Sequence, residues 1–432
     1  MTAEIAIMNK EAIALASDSA VTMLGESRQK IFTSANKLFA LSKFHPVGIM
    51  VYGNAIFMDV PWETIIKIYR KDLGKKKFDT LEKYAHNFIE FLDNGNTLFP
   101  DSVQEEYIRD SIYSYFNFIK DTIINKVHLK IDEKGKITKE ETNQIISEII
   151  ERHYENWGKK ANIPSIPKRY NKNIIIKYKK IIDEAIKKVF EKAPLSINHI
   201  NQLKKIASSL FSKFPEAIQN IDISGVVIAG FGERDTFPSL ESFHLEGIAN
   251  NKLKYKNYKS AKIDFTVSAS IIPFAQREMV DTFMEGIDPD YRIIEESYLS
   301  QIFNNYAGIV IESMRKYDDK ERKKLKEKLM IVTNEILKDI NKKFENYREE
   351  KHIRPVTSVV SMLPKDELAA MAEALVSLTS FKRKVTMGSE TVGGPIDVAV
   401  ISKGDGFVWI KRKHYFKAEL NPQFFANYYK EI

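Results

Sequence analysis

The chain contains no cysteine among its 432 residues. This absence excludes disulfide bonds, thiolate metal sites and cysteine nucleophiles. The chain also lacks any run of about 18 consecutive apolar residues, the length that a membrane-spanning helix needs. Its amino terminus does not show the basic-then-apolar pattern of a signal peptide. We therefore expect a cytoplasmic protein with no membrane partner.

Patterns that bind metals or nucleotides are also missing. The eight histidines are scattered, with no His-Glu-x-x-His or similar ligand spacing. A phosphate-binding loop requires Gly-x-x-x-x-Gly-Lys followed by Ser or Thr. The segment from Gly388 to Gly394 lacks that lysine and continues into Pro395. The sequence therefore predicts that the protein uses neither a metal nor another cofactor.

The charge of the chain is moderately basic. The formal net charge is +8 at pH 7, which on its own favours anionic partners. Most lysines in such a chain belong to the solvated faces of helices. We therefore do not expect nucleic acid as a partner.

The organisation of the chain follows from where strand-type and helix-type patterns lie. A length of 432 residues is compatible with several domains or with one domain that carries large insertions. The pattern predicts a single domain, 1–432, whose core is interrupted by two mainly helical insertions at 100–220 and 287–354. The predicted core segments are 1–99, 221–286 and 355–432.

The first twenty residues predict a β-hairpin. Two apolar runs, Ile5 to Met8 and Ala12 to Ala16, flank a short polar turn. Just before the first run, Met1 is followed by the small residue Thr2, the kind of neighbour that permits removal of the initiator methionine. After that removal, one residue would carry both a hydroxyl and a free α-amine.

Such a residue has a specific chemistry. A hydroxyl is a poor nucleophile and needs a base, and an α-amine that titrates at about 7.7–8.0 can act as that base without a histidine. Asp18, at the end of the second apolar run, would hold the amine and the threonine in position. On these residues alone, the other interpretation is that Thr2 is an ordinary second residue and Asp18 a turn residue.

The surrounding pattern resembles proteasome β subunits and the bacterial proteasome-like peptidases HslV and Anbu. In that family an N-terminal Thr opens one strand and a second strand ends in a segment like Ala16-Ser17-Asp18-Ser19. A lysine followed by apolar residues comes next, here at Lys37, and then an apolar strand that ends in glycine, here Val47 to Gly53. Similar strand patterns return at 223–232 and 397–410.

The resemblance implies a role for each matched residue. Thr2 would be nucleophile and base, and Lys37 would lie between Thr2 and Asp18 and keep the amine usable as a base. The backbone N–H of Gly53 would donate to the oxyanion. Because a few extra residues precede Lys37, Lys30 is the alternative for the lysine role.

Two further site residues are less directly matched. The family has a serine at a strand-to-helix turn that supports the threonine amine, and the corresponding segment here contains Ser268 and Ser270 in a predicted strand, 265–270, before a predicted helix, 274–284. The family also has an acidic residue near its last glycine pair. Glu390 is the nearby carboxylate, and we expect it either to take that role or to be a surface charge.

The resemblance implies an α+β fold of the four-layer αββα type found in N-terminal nucleophile (Ntn) hydrolases, with two helical insertions. The function it implies is a threonine peptidase that cleaves peptide or protein substrates. Family members form homo-oligomeric rings or shells, and because this chain has no Walker motif, any ATPase unfoldase would be a separate partner. The alternatives are a non-catalytic proteasome-like scaffold or shell subunit and a small-molecule amidase of the Ntn class.

Overall fold

The computed structural model describes residues 2–24, 29–93, 97–214, 223–313, 318–386 and 392–430. The strands that it contains are β1 Ala3–Asn9, β2 Ala12–Ser17, β3 Val21–Leu24, β4 Gln29–Phe32, β5 Leu38–Ala40, β6 Val47–Gly53, β7 Ile56–Phe57, β8 Val60–Pro61, β9 Ser224–Gly230, β10 Ser239–Ala249, β11 Lys252–Lys262, β12 Ala269–Ala275, β13 Asp397–Ser402 and β14 Gly406–Lys411.

The α-helices are α1 Trp62–Leu73, α2 Leu81–Asp93, α3 Asp101–Lys134, α4 Lys139–Gly158, α5 Tyr170–Lys177, α6 Lys179–Val189, α7 Ile197–Ser209, α8 Glu278–Glu285, α9 Pro289–Ser313, α10 Asp319–Arg348, α11 Arg354–Val360, α12 Lys365–Val385 and α13 Pro422–Lys430. None of the helices in these described ranges is long and apolar enough to span a membrane.

Most strands belong to two five-stranded sheets. The first sheet has the order β12-β1-β2-β13-β14, and the second has the order β11-β10-β9-β6-β5. Neighbouring strands are antiparallel in both sheets. With helices that pack against these sheets, the chain has the predicted α+β class.

Packing gives each sheet an inner and an outer face. One buried cluster contains side chains of both sheets, among them Met8 and Leu15 of the first and Met50 and Val227 of the second. The outer face of the first sheet packs against α11 and α12, and that of the second packs against α1 and α2. Strands buried on both faces read as continuous apolar runs, which explains the pattern of β1 and β2.

The predicted N-terminal hairpin is present as β1 and β2. The side chain of Asn9 closes its turn, since Oδ1 accepts hydrogen bonds from the backbone N–H groups of Glu11 and Ala12 at 2.9 and 3.2 Å. The amide of Asn9 also donates to the carbonyl oxygens of Val360 and Leu363. The turn therefore anchors the hairpin to the segment between α11 and α12.

Long helices fill the two segments predicted as helical insertions. Helices α3 to α7 lie between 101 and 209 and share a hydrophobic cluster that also reaches Ala249 of β10. Tyr170 fastens this helical group to the second sheet by donating a hydrogen bond to the Ala249 carbonyl at 2.5 Å. In the second segment, α9 and α10 pack against each other.

The boundaries of β12 and α8 differ from the prediction. A strand over 265–270 and a helix over 274–284 were expected, whereas the strand is Ala269–Ala275 and the helix Glu278–Glu285. The carboxylate of Asp264 accepts hydrogen bonds from the N–H groups of Thr266 and Val267 at 2.6 and 2.8 Å, which closes a tight turn. Because residues 264–267 form this turn, the strand begins later and extends further towards the helix.

Candidate active site

The inner face of β1 carries two polar side chains at its N-terminal end. Side chains alternate between the two faces of a strand, and Ala6 and Met8 belong to the cluster between the sheets. Thr2 and Glu4 therefore share the inner face, where they are 1% and 2% exposed. A carboxyl group in this position is buried between the two sheets.

Asp18 lies beside them, just after β2, and all its acceptor positions are used. Its Oδ1 accepts from the backbone N–H of Ala3 at 3.1 Å and from Lys37 Nζ at 2.6 Å. Its Oδ2 accepts from the backbone N–H groups of Ala20 and Gly393 at 3.2 and 2.9 Å. Four donors occupy the lone pairs of this carboxylate, so its role is to hold Lys37 and three chain segments in place.

Lys37 connects the two sheets at this point. Its carbonyl oxygen accepts a hydrogen bond from Val51 N–H at 2.9 Å, which fixes its backbone beside β6 in the second sheet. Its Nζ reaches across to the first sheet, 2.6 Å from Asp18 Oδ1 and 3.6 Å from Glu4 Oε1. With only 3% of the residue exposed, the buried cation is compensated by the Asp18 carboxylate, and the Glu4 carboxyl group of β1 lies beside it.

Thr2 is held by both its side chain and its backbone. Its Oγ1 donates a hydrogen bond to Glu4 Oε2 at 3.0 Å, and its carbonyl oxygen accepts one from Gln276 N–H at 3.1 Å. Burial raises the pKa of Glu4 to about 8; the Lys37 charge opposes this rise and the Asp18 charge adds to it. A carboxyl group that titrates in the physiological range is therefore in direct contact with the Thr2 hydroxyl.

Gly53 lies at the end of β6 on the same side of the molecule. The ring of its neighbour Tyr52 packs against Phe274 at 5.6 Å between centroids, and Phe274 is the β12 partner of Glu4. Gly53 has φ +83°, and a Cβ on it would lie 2.2 Å from the carbonyl oxygen of Ile223. Only glycine fits this position without strain.

The predicted serines lie elsewhere. Strand pairing places Ser270 opposite Met8, at the far end of β1 from Thr2. Met8 lies six positions after Thr2 along the chain, roughly 20 Å at about 3.3 Å per residue. The expectation that Ser268 or Ser270 supports the Thr2 amine is therefore wrong, because the strand runs further than predicted and brings Gln276 to Thr2 instead.

The side chains of two other predicted residues lie outside the described part of the chain. Glu390 lies outside the described residues, so its role stays a prediction. Lys30 belongs to β4, where its backbone pairs with Met23, but its side chain lies outside the described part of the chain. The contacts of Lys37 with Asp18 and Glu4 favour Lys37 in the lysine role.

The sequence interpretation did not single out Glu4 or Ser17. Glu4 is the one charged residue in the apolar strand β1, and that isolation was a usable signal for a buried functional carboxyl group. Ser17 pairs directly with Glu4 across β1 and β2. Its buried hydroxyl has no hydrogen-bond partner among the described residues. These two side chains complete the polar group around Thr2.

No model of a known protein family matches this chain, and no curated protein sequence matches it. Within the described ranges, no group of three or more His, Asp or Glu side chains is arranged to hold a metal ion. The site brings together a hydroxyl, a titratable carboxyl group in contact with it, and a lysine that compensates the Asp18 carboxylate.

Proposed function

We propose that the protein is a threonine hydrolase of the Ntn class that cleaves amide bonds with Thr2 as nucleophile after removal of Met1. The observation that carries the proposal is the buried group of Thr2, Asp18 and Lys37, in which Lys37 Nζ lies 2.6 Å from Asp18 Oδ1. These three residues are widely spaced in the sequence and belong to two sheets. The pairing of Asp18 with Lys37 near the Thr2 hydroxyl supports a proteasome-like active site.

The fold supports the same proposal. Two antiparallel sheets pack face to face, and helices cover the outer faces. We infer that this arrangement is the four-layer αββα sandwich of Ntn hydrolases, with the segments 100–220 and 287–354 as helical insertions. In this interpretation Gly53 N–H donates to the oxyanion that forms when Thr2 attacks a carbonyl carbon.

The proposed substrates and partners follow from the class. We infer a peptide or protein substrate, a homo-oligomeric ring or shell, and a separate ATPase if folded substrates are used. A small-molecule amidase is the alternative with the same nucleophile. Assays with the purified protein on a peptide library and on small amides separate the two, because only a peptidase hydrolyses the peptides faster than a Thr2→Ala control.

A non-catalytic scaffold is the second candidate, and one observation favours it. Thr2 is only 1% exposed, so a substrate carbonyl has no access to the hydroxyl in the described structure. The hydrolase proposal therefore requires that processing at Met1 opens the site. Both candidates share the fold, but only the hydrolase requires a mature chain that begins at a reactive Thr2.

Mass spectrometry of the native protein tests the choice. The intact protein and its N-terminal peptide are measured before and after treatment with a β-lactone, which acylates a reactive hydroxyl by opening its ring. A hydrolase is expected to begin at Thr2 and to gain one probe mass there, with no gain in Thr2→Ala. A chain that retains Met1, or a free Thr2 that no probe labels, would favour the scaffold.

A further inference from the structure

A carboxyl group in contact with the Thr2 hydroxyl changes where the proton of that hydroxyl can go. Glu4 Oε2 accepts the Thr2 Oγ1 hydrogen bond at 3.0 Å, within the range for direct proton transfer. Glu4 Oε1 accepts no hydrogen bond from the described residues and is buried. Glu4 therefore has one oxygen aimed at the nucleophile, while its other oxygen faces the Lys37 ammonium group at 3.6 Å.

The neighbouring groups do not compete for this role. The four donors around Asp18 leave it no free lone pair. Lys37 has no acceptor when it is protonated, and its Nζ contacts both carboxyl groups. Tyr52, a titratable group near Glu4, has its pKa raised by burial and stays neutral. The α-amine of processed Thr2 is an alternative base.

We propose that Glu4 is a catalytic residue of this hydrolase, the general base that accepts the Thr2 hydroxyl proton and the general acid that returns it. The proposal rests on the proposed function. It assigns proton transfer to a carboxyl group two residues along the same strand instead of to the α-amine. Burial of Glu4 then sets the pH range in which the enzyme works, because Glu4 must lose its own proton before it can accept another.

The steps balance as follows. The Thr2 oxygen bonds to the carbonyl carbon of the substrate while its proton moves to Glu4, and the carbonyl electrons form an oxyanion. When the oxyanion collapses, the carbon–nitrogen bond breaks, and the leaving amine takes the proton from Glu4. Water then attacks the Thr2 ester and gives a proton to Glu4, and this proton returns to the Thr2 oxygen as the acid is released.

Above its pKa of about 8 Glu4 is charged and able to accept a proton, and below it the acid form predominates. The rate of labelling of Thr2 by a β-lactone is therefore expected to rise about tenfold per pH unit up to pH 8 and to level off above. The α-amine of Thr2 titrates in a similar range, at about 7.7–8.0, so a pH profile of the wild type alone does not identify the base.

Variants at Glu4 make the distinction. E4Q keeps the size and a hydrogen-bonding oxygen but cannot accept the proton, so the labelling rate is expected to fall by about 10²-fold or more. E4D keeps a carboxylate that is one methylene shorter, and we expect a slower rate with the rise towards high pH retained. E241Q is the control: Glu241 also has its pKa raised by burial and accepts from Ser260, but it lies on the outer face of the second sheet beside α2.

Each result has one meaning. An E4Q protein that is folded by circular dichroism and labelled within about threefold of the wild-type rate, with the same pH profile, would overturn the role of Glu4 and leave the α-amine as base, while the hydrolase proposal would stand. If E4Q does not fold, E4D decides, and a wild-type rate in E4D would overturn the role. A wild-type protein that no β-lactone labels at Thr2 would refute the hydrolase itself and the role of Glu4 with it.

Discussion

Replacement of Lys37 by methionine removes the buried cation of the site while keeping most of its volume. Lys37 Nζ compensates the Asp18 carboxylate at 2.6 Å and lies 3.6 Å from Glu4 Oε1, and its side chain is 4% exposed. Breaking a buried ion pair by removing one partner costs about 3–5 kcal/mol, because the remaining charge stays uncompensated. Without Lys37, the pKa of Glu4 is also expected to rise further, since the lysine charge lowers it.

The size of the effect on thermal unfolding follows from the length of the chain. An unfolding entropy of about 2.1 cal/mol/K per residue, applied to 432 residues, gives roughly 0.9 kcal/mol/K. A loss of about 3–5 kcal/mol then lowers Tm by roughly 3–6 °C for a chain that unfolds as one unit. Scanning calorimetry at pH 7 on the full chain measures this shift and shows whether unfolding is a single transition.

A matched lysine provides the control. Lys67 pairs with Glu63 at 2.6 Å, the same distance as in the buried pair, but its side chain is 56% exposed. Exposed pairs of this spacing contribute only about 0.3–0.5 kcal/mol, so K67M is expected to lower Tm by less than about 1 °C. If K37M and K67M shift Tm equally, the argument that Lys37 stabilises the fold through buried charge compensation is wrong.

Two further predictions concern the second sheet and the pH dependence of stability. In urea unfolding, Gly53→Ala is expected to lower the free energy of unfolding by about 1–3 kcal/mol more than Gly135→Ala does. Both glycines have φ near +80°, but only at Gly53 would the Cβ meet a backbone atom, Ile223 O; equal costs would show that the close approach is absent. Burial lowers the pKa of His153 and of His244 to about 4 from 6.5. Because the unfolded chain binds these protons first, stability is expected to fall as the pH drops from 6.5 towards 4. If both histidines are replaced by Gln, Tm is expected to fall less steeply over this pH range. An unchanged slope of Tm against pH would contradict the lowered pKa values of the two histidines.

The site could be predicted from the sequence where its residues follow strand patterns. Thr2 and Asp18 flank the hairpin, and a hairpin with a short turn fixes which residues are neighbours, so their closeness follows from the pattern. Lys37 was predicted only through the resemblance, because its contact with Asp18 depends on how two separate sheets pack. Local periodicity contains no information about that packing.

The errors have equally specific causes. Ser268 and Ser270 were placed at the site because the strand was expected to end at 270, and a strand that ends five residues later, at Ala275, carries them away from Thr2. The Asp264 turn that sets the strand start is a side-chain effect, which periodicity does not reveal. Glu4 was missed because a strand buried on both faces gives no sign of which face its polar residue occupies.

The bridging position of Lys37 has a consequence for when the proposed hydrolase would become reactive. Thr2, Glu4 and Asp18 lie on one sheet, whereas the lysine that compensates the Asp18 carboxylate and faces Glu4 is anchored on the other. An incompletely folded chain, in which the sheets have not yet met, would leave its threonine in water without a buried base or its counter-charge. For the proposed hydrolase, we therefore expect reactivity to appear only at the last step of maturation, so that a newly made chain does not cleave itself or its neighbours during synthesis.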